Sequence, residues 1–598
     1  MKYKSIPDLF WSQVEKYGDR TALRRKIGTK WEPVTWKQWG EKVEAAASGL
    51  LALGLKHGDH VSILSNNRVE WVVGDLGIIC SGGATVGIYA SNLPSEVAYV
   101  AGHAESPFIF VENKEQLRKV LDVRSQLSDL KKIVVFDMPT GFEDRDVLSL
   151  DELLSLGREN LANNRSIIKD IRENTDAEDV ALIVYTSGTT GPPKGAMLSH
   201  KNIIWTAGTS VDELTITEKD ESLSFLPLAH LLEHFLFFGS VMLGGVINYA
   251  ESIDKIAQNM LEVRPSVVIG VPRVYEKIYS RLQNMAAQKG KLGAAIFKTA
   301  KNAAIEYARK RSRGQPIGLG LKIRHKISDR LVYSKLREST GGRIRFFGSG
   351  GAPLSAEIAE FFYGAGLPII ESWGMTETTA PSTLTRPNEI RPGTVGRPLP
   401  GVDVKIEADG EILVRGPNVF KGYFKNPAAT AEALEGGWMH TGDVGEFDSE
   451  GMLKITDRKK DLIITAGGKN IAPQNIENLM KTNPLFSQVV VIGDRQPYCV
   501  ALLTLNEEEV RRFASEKGLN EKNYAELVKT KTINDLAAQG VAEKNSHLAR
   551  YEQIKKFRII PYDFSQATGE LTPTMKVKRK VVNQKFADII QEMYEGPE

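Results

Sequence analysis

Cysteine is almost absent: Cys80 and Cys499 are the only two among 598 residues and lie far apart in the chain. A disulfide framework is excluded, and a reducing, cytoplasmic setting is expected. Long hydrophobic runs are missing too. The most apolar stretches, LGIICSGGATVGIYA at 76–90 and FLFFGSVMLGGVINYA at 235–250, are short and glycine-rich, which argues against a membrane span. The first twenty residues carry charges throughout, so no secretory signal is expected. There is no tandem repeat and no low-complexity linker. Hydrophobic residues make up 42% and charged residues 25%, an ordinary globular balance that excludes wholesale disorder. The length exceeds what one core serves, so at least two domains are expected.

Net charge is also small, +3, but it hides an asymmetry. Between Lys298 and Arg345 fourteen Lys/Arg face three Asp/Glu, a local net of +11, so the rest of the chain carries 3 − 11 = −8. Such a block suits peripheral association with an anionic membrane, or is a solvated helical face. No nucleic-acid module is present and aromatics within the block are sparse, so nucleic acid is not an expected partner. Oligomeric state, monomer or homodimer, stays open.

Apolar runs alternate with helical patterns. HVSILS, KIVVFD, ALIVYTS, SVVIGVP, IRFFGSG and LPIIES read as buried strands, because their apolar residues run on without alternation. Residues 40–53 read as a helix stopped by Gly54. This implies layered α/β sheets in a large N-terminal domain. After about residue 400 short strands and glycine turns suggest a smaller β-subdomain. QVVVIGD and CVALLTL read as a hairpin, and 507–556 as a charged helical stretch.

The strongest local signal follows Tyr185. A strand ends there, six Thr, Ser and Gly residues come without a break, and Pro-Pro-Lys-Gly completes the run. Glycines let backbone N–H groups approach phosphate oxygens, while hydroxyls and Lys194 add donors. It is not a Walker loop, since position 193 is proline. A second signal, His-Leu-Leu-Glu-His at 230–234, also fits an inverted zinc-protease signature, with His230 and His234 sharing a helix face.

YTSGTTGPPKG resembles the signature of the adenylate-forming, AMP-binding superfamily, and long-chain fatty acyl-CoA synthetases in particular. The resemblance continues in order through FGSGGAPLS at 347–355, ESWGMTET at 371–378, HTGDVG at 440–445, DRKKDLIITAGGKNIAP at 457–473 and PTMKVKRK at 573–580. It implies an AMP-binding and acyl-binding domain over 1–457, a hinge at 458–460 centred on Lys460, and a mobile α+β lid over 461–598.

The resemblance also implies roles. Nucleotide is held by Thr186, Ser187, Gly188, Thr189, Thr190, Gly191 and Lys194, by Gly350, Gly351 and Ala352, by Glu371, Ser372, Trp373, Gly374 and Thr376, and by Asp443 and Arg458 at the ribose. Glu377 and Thr190 are the implied Mg²⁺ ligands. Lys576, Thr376, Glu377 and His230 are the implied catalytic residues, with His230 at the acyl site and Gly467 and Gly468 beside CoA. The family often has Gly where Met575 stands. The implied reaction consumes ATP and a medium- or long-chain fatty acid, passes through acyl-AMP, and delivers the acyl group to CoA. A fatty acyl-AMP ligase serving a carrier protein is the alternative.

Overall fold

The computed structural model describes residues 2–186, 192–466, 469–519, 523–572 and 575–595. Two large sheets organise the first part. An eight-stranded sheet runs in the order Gly422–Tyr423, Lys194–Ser199, Val180–Thr186, Ala84–Ile88, His60–Leu64, Phe108–Val111, Lys132–Val135 and Val147–Ser149. From Val180–Thr186 onward its strands are parallel. In the nine-stranded sheet, Glu221–Ser224, Val246–Tyr249, Val267–Gly270, Phe346–Ser349 and Ile369–Met375 form the parallel centre. Helices cover both sheets, so central strands such as Phe108–Val111 are apolar at every position.

Local sequence explains the helices between strands. Trp36–Ala52 starts on a capping box, in which the Thr35 hydroxyl accepts from the Gln38 N–H and the Gln38 side chain accepts from the Thr35 N–H. It ends before Gly54, whose φ of +90° takes the left-handed turn expected there. Gly49 and Gly157 let helices Trp36–Ala52 and Leu150–Asn174 touch, since a Cβ on Gly157 would lie 1.8 Å from the Ala45 carbonyl oxygen.

A four-stranded antiparallel sheet, Asp403–Ile406, Glu411–Arg415, Met439–Phe447 and Leu453–Arg458, forms the expected β-subdomain. Beyond it the chain builds a small α+β unit. Phe486–Ile492 and Cys499–Leu505 form the expected hairpin, and Ile554–Ile559 adds in parallel. That third strand corrects the helical reading of 507–556. Helices Glu507–Glu516, Tyr524–Leu527 and Lys531–Asn545 fill most of the stretch. IKKFRI then turns to strand because its apolar residues pack on the hairpin. Hydrophobic clusters fall on either side of Arg458: three draw on residues up to 455, two on residues from 463 onward. Both cysteines are buried and free. No helix among the described residues is long and apolar enough to cross a membrane.

Candidate active site

The carboxyl ends of the parallel strands are where an open α/β sheet places its site, and His230, Gly350–Ala352 and the Thr376–Glu377 pair follow such ends. Strand Glu221–Ser224 leads into the loop ending at His230, and strand Phe346–Ser349 leads into Gly350–Ala352. Gly350 donates its N–H to the Gly270 carbonyl (3.3 Å), and its missing Cβ would sit 3.3 Å from the Ser372 hydroxyl. Gly351 has φ +80° and faces Leu232, the second residue of the His230 helix.

Strand Ile369–Met375 then delivers the Thr-Glu pair. Gly374 is demanded by close approach, because a Cβ there would lie 1.8 Å from the Ala380 carbonyl oxygen. After the turn Thr376–Thr378, Thr379 and Ala380 take φ +51° and +69°. Left-handed backbone costs a non-glycine residue roughly 1 kcal/mol, and strain of this kind marks sites that need a set geometry. The Thr379 hydroxyl, donating to the Asn418 carbonyl at 2.7 Å, helps hold it. Glu377 is buried; the Tyr423 hydroxyl donates to its Oε1 at 2.7 Å. Lys194 lies with its Nζ 5.0 Å from the Tyr423 ring centre, and strand Gly422–Tyr423 pairs with strand Lys194–Ser199. Tyr423 therefore ties the end of the Thr/Ser/Gly loop to the acidic residue. Glu371, from the same strand, is turned into the core. Its carboxyl accepts the Gly393 N–H at 3.1 Å, and burial pushes its pKa up to about 8.

Asp443 is buried, and its Oδ2 accepts the Trp373 indole N–H at 2.8 Å. Arg458 Nε lies 2.9 Å from Oδ1, out of line, so Oδ1 has no hydrogen bond. A buried carboxylate oxygen without a donor is costly unless something arrives to supply one, and vicinal hydroxyls would. Arg458 and Asp443 also define the surroundings of Lys576. That side chain is exposed within the cleft between the two units, yet flanking walls strip enough water to push its pKa down to about 8. Arg458 pushes in the same direction and Asp443 opposes. Met575 beside it has φ +62°, which explains physically why glycine is usual at that position.

His230 caps helix Leu231–Leu243. The Leu232 N–H donates to its Nδ1 at 3.1 Å, so the neutral ring carries its proton on Nε2. Burial and then Lys576 depress its pKa to about 4, so it is neutral near pH 7. The same helix borders a cavity with about 820 Å³ of empty space, its open mouth included. Leu214, Phe235, Phe237, Leu243, Val246 and Ile269 supply apolar walls. Polar residues line it as well, among them Asp220, Glu221 and Ser224; Glu233, Tyr249 and Ser210 are buried, and the hydroxyls of Tyr249 and Ser210 have no hydrogen-bond partner among the described residues. Burial raises Glu233 to about 8, against hydrogen bonds from Ser224 and the Leu226 backbone.

The zinc reading of 230–234 finds no support. His234 Nε2 lies 3.0 Å from Asp75 Oδ2, away from His230's role as a cap, and no metal-binding cluster of His, Cys, Asp or Glu exists among the described residues. Ser187, Gly188, Thr189, Thr190 and Gly191, and Gly467 and Gly468, lie outside the described residues. Thr186 pairs with Lys194 across that gap. Sequence reasoning missed Tyr423 and the Trp373–Asp443 bond. No local pattern in the chain around Gly422–Tyr423 pointed to the former.

The AMP-binding enzyme family matches residues 10–424, and the AMP-binding enzyme C-terminal domain matches 460–598. The long-chain-fatty-acid–CoA ligase FadD15 of Mycobacterium bovis is 38% identical over 583 residues, 96% of this chain and 94% of that protein. The human long-chain-fatty-acid–CoA ligase ACSBG2 is 33% identical over 621 residues, covering 99% and 92%. The adenylation domain of a carboxylate reductase from Mycobacterium chelonae has the same fold, with TM-score 0.78 at 20% identity over 99% of this chain and 91% of that one. With both family matches in chain order and relatives of 33–38% identity covering nearly the whole chain, the chain belongs to the AMP-binding enzymes.

Proposed function

We propose that this protein joins a medium- or long-chain fatty acid to CoA, using ATP and releasing AMP and pyrophosphate. The observation that carries the reading is the position of Lys576 between two features. Its charge acts on His230, which begins the helix that walls a largely apolar cavity, and it is itself acted on by Arg458 and Asp443, an ion pair at 2.9 Å. Each buried CH₂ is worth about 0.8 kcal/mol, so such a cavity favours long tails. CoA ligases among the relatives support CoA over a carrier protein as acceptor.

The chemistry follows from charge. Two anions must meet, and unit charges 4 Å apart repel by about 4 kcal/mol at an effective dielectric of 20. Lys576 supplies a cation at the phosphate side. His230, neutral, offers Nε2–H to the carboxylate, orienting it without quenching its nucleophilicity. Asp443 Oδ1 takes the ribose hydroxyls. Glu377 offers carboxylate oxygens, which fit a hard cation; with Thr190 it would hold Mg²⁺. Bound there, Mg²⁺ would neutralise phosphate charge.

The division into 1–457, a hinge at 458–460 and a lid at 461–598 belongs to the same reading. Lys459 is pinned by Asp409 and Glu411 at 2.6 and 2.8 Å, whereas Lys460 has no ion pair among the described residues. Arg273 bonds Ser487 across the interface at 2.9 and 2.6 Å, contacts a rotating lid would exchange. Turning the lid would withdraw Lys576 and bring Gly467 and Gly468 to the CoA thiol. The scarcity of cysteine and the basic block at 298–345 support work in a reducing compartment, at an anionic membrane surface.

The test is AMP and pyrophosphate release with Mg²⁺, ATP and acids from acetate to very long chains, with and without CoA. CoA-dependent turnover peaking at medium or long chains is expected. Absence of AMP and pyrophosphate with every acid refutes the reading.

A further inference from the structure

Helix Leu319–Ser328 turns only one side to the body of the protein. Leu321 and Ser328 are buried, and His325 stacks on Tyr307 with ring centres 4.0 Å apart. The chain continues through the π-type turn Asp329–Tyr333, where buried Tyr333 donates to the Ala300 carbonyl at 2.6 Å. The opposite side carries Leu319, Ile323, Ile327 and Leu331, which are 74%, 53%, 55% and 44% exposed. Their four-residue spacing sets them in one row. Lys322, Lys326 and Arg330 form a second, exposed row beside it at the same spacing. Among the described residues none of these three cations has a carboxylate within 4 Å, whereas nearby Arg324 and Arg337 are paired with Glu306 and Asp329.

Scattered surface leucines need no explanation, but a contiguous apolar row does. Between Arg313 and Leu331 there are five Lys/Arg and a single acid, Asp329. The complement must therefore be apolar and anionic together. A second copy of this face would set lysine against lysine. An anionic bilayer satisfies both demands, with acyl chains taking the row and headgroup phosphates taking the cations.

We propose that segment 319–331 is a bilayer-docking face that seats Leu319, Ile323, Ile327 and Leu331 below the headgroups of an anionic membrane. The inference rests on the membrane placement above and deepens it: attachment needs two signals, charge and apolar insertion, where the basic block alone supplies one.

The experiment sediments the full chain with phosphatidylcholine vesicles, with and without phosphatidylserine. Ile323→Ser/Ile327→Ser, Lys322→Gln/Lys326→Gln and Ile327→Trp variants are compared, and palmitate activation is measured on the same preparations. Wild type should bind only phosphatidylserine vesicles, and less at high salt. The isoleucine pair should weaken binding by about tenfold or more. Tryptophan at 327 should shift its emission to the blue on anionic vesicles alone. Unchanged binding by the isoleucine pair overturns the insertion while sparing electrostatic attachment. No wild-type binding overturns both, and palmitate activation in the same tubes keeps the catalytic reading separate. A concentration-dependent dimer lost in the isoleucine variant would give the face to a second copy and overturn the proposal.

Discussion

Lys576 carries the sharpest prediction. Its pKa is pushed down to about 8 because the walls of the cleft strip water from the ammonium, with Arg458 adding and Asp443 opposing. The charged form serves the phosphate, so activity is present below that pKa and lost above it. In acyl-AMP formation kcat/KM for ATP should fall above about pH 8, because that parameter reports the free enzyme. Bound triphosphate raises the lysine pKa, so kcat should persist to higher pH. Removing one charge at about 4 Å, at an effective dielectric of 20, costs about 4 kcal/mol, or on the order of 10³ in rate. Lys576→Ala should show that loss in acyl-AMP formation and spare transfer from supplied acyl-AMP. Lys576→Arg keeps a charge that does not titrate in this range, so the alkaline fall should vanish even if geometry lowers the plateau. Glu233 and Glu371 also stand at about 8, but a fall due to them would survive in the arginine variant. The assay is pyrophosphate release with palmitate and without CoA, from about pH 6 to about pH 10. An unchanged alkaline limb in Lys576→Arg, or an alanine variant within tenfold of wild type, removes Lys576 from the adenylation step.

Two further expectations concern the cavity and the hinge. Glu233 is raised above its unfolded value, so its stabilising share is complete below about pH 4.5 and is lost as pH rises toward about 8. Urea titrations should show Glu233→Gln gaining on wild type across that window, by on the order of 4 kcal/mol; parallel stability curves would contradict the burial argument. Lys460→Pro locks φ where the lid must turn. Steady-state acyl-CoA formation should drop far more than single-turnover acyl-AMP formation, and equal rates in both assays would remove the hinge from Lys460.

Much was legible because the chemistry is local. Unbroken apolar runs gave buried strands at His60–Leu64 and Val267–Gly270, and Gly54 ended the helix it was expected to stop. Ile554–Ile559 was not legible, because its strand character comes from the hairpin it joins rather than from its own residues. Nor was the turning of Glu371 into the core, since a motif position says nothing of which face of a strand is buried.

By itself the sequence determined the layered α/β class, the glycine-rich run after Tyr185, the order of the motifs and the basic block. These follow from spacing, backbone freedom and charge over a few residues. Tertiary structure decided what those motifs become together. It brought Trp373 to Asp443, seventy residues away, hung Glu377 on Tyr423 and set His230 at the head of the cavity wall. It also left one row of apolar side chains facing outward beside three cations that have no carboxylate partner among the described residues. Such contacts depend on strand order and on how helices pack across a sheet, and no window along a chain contains either.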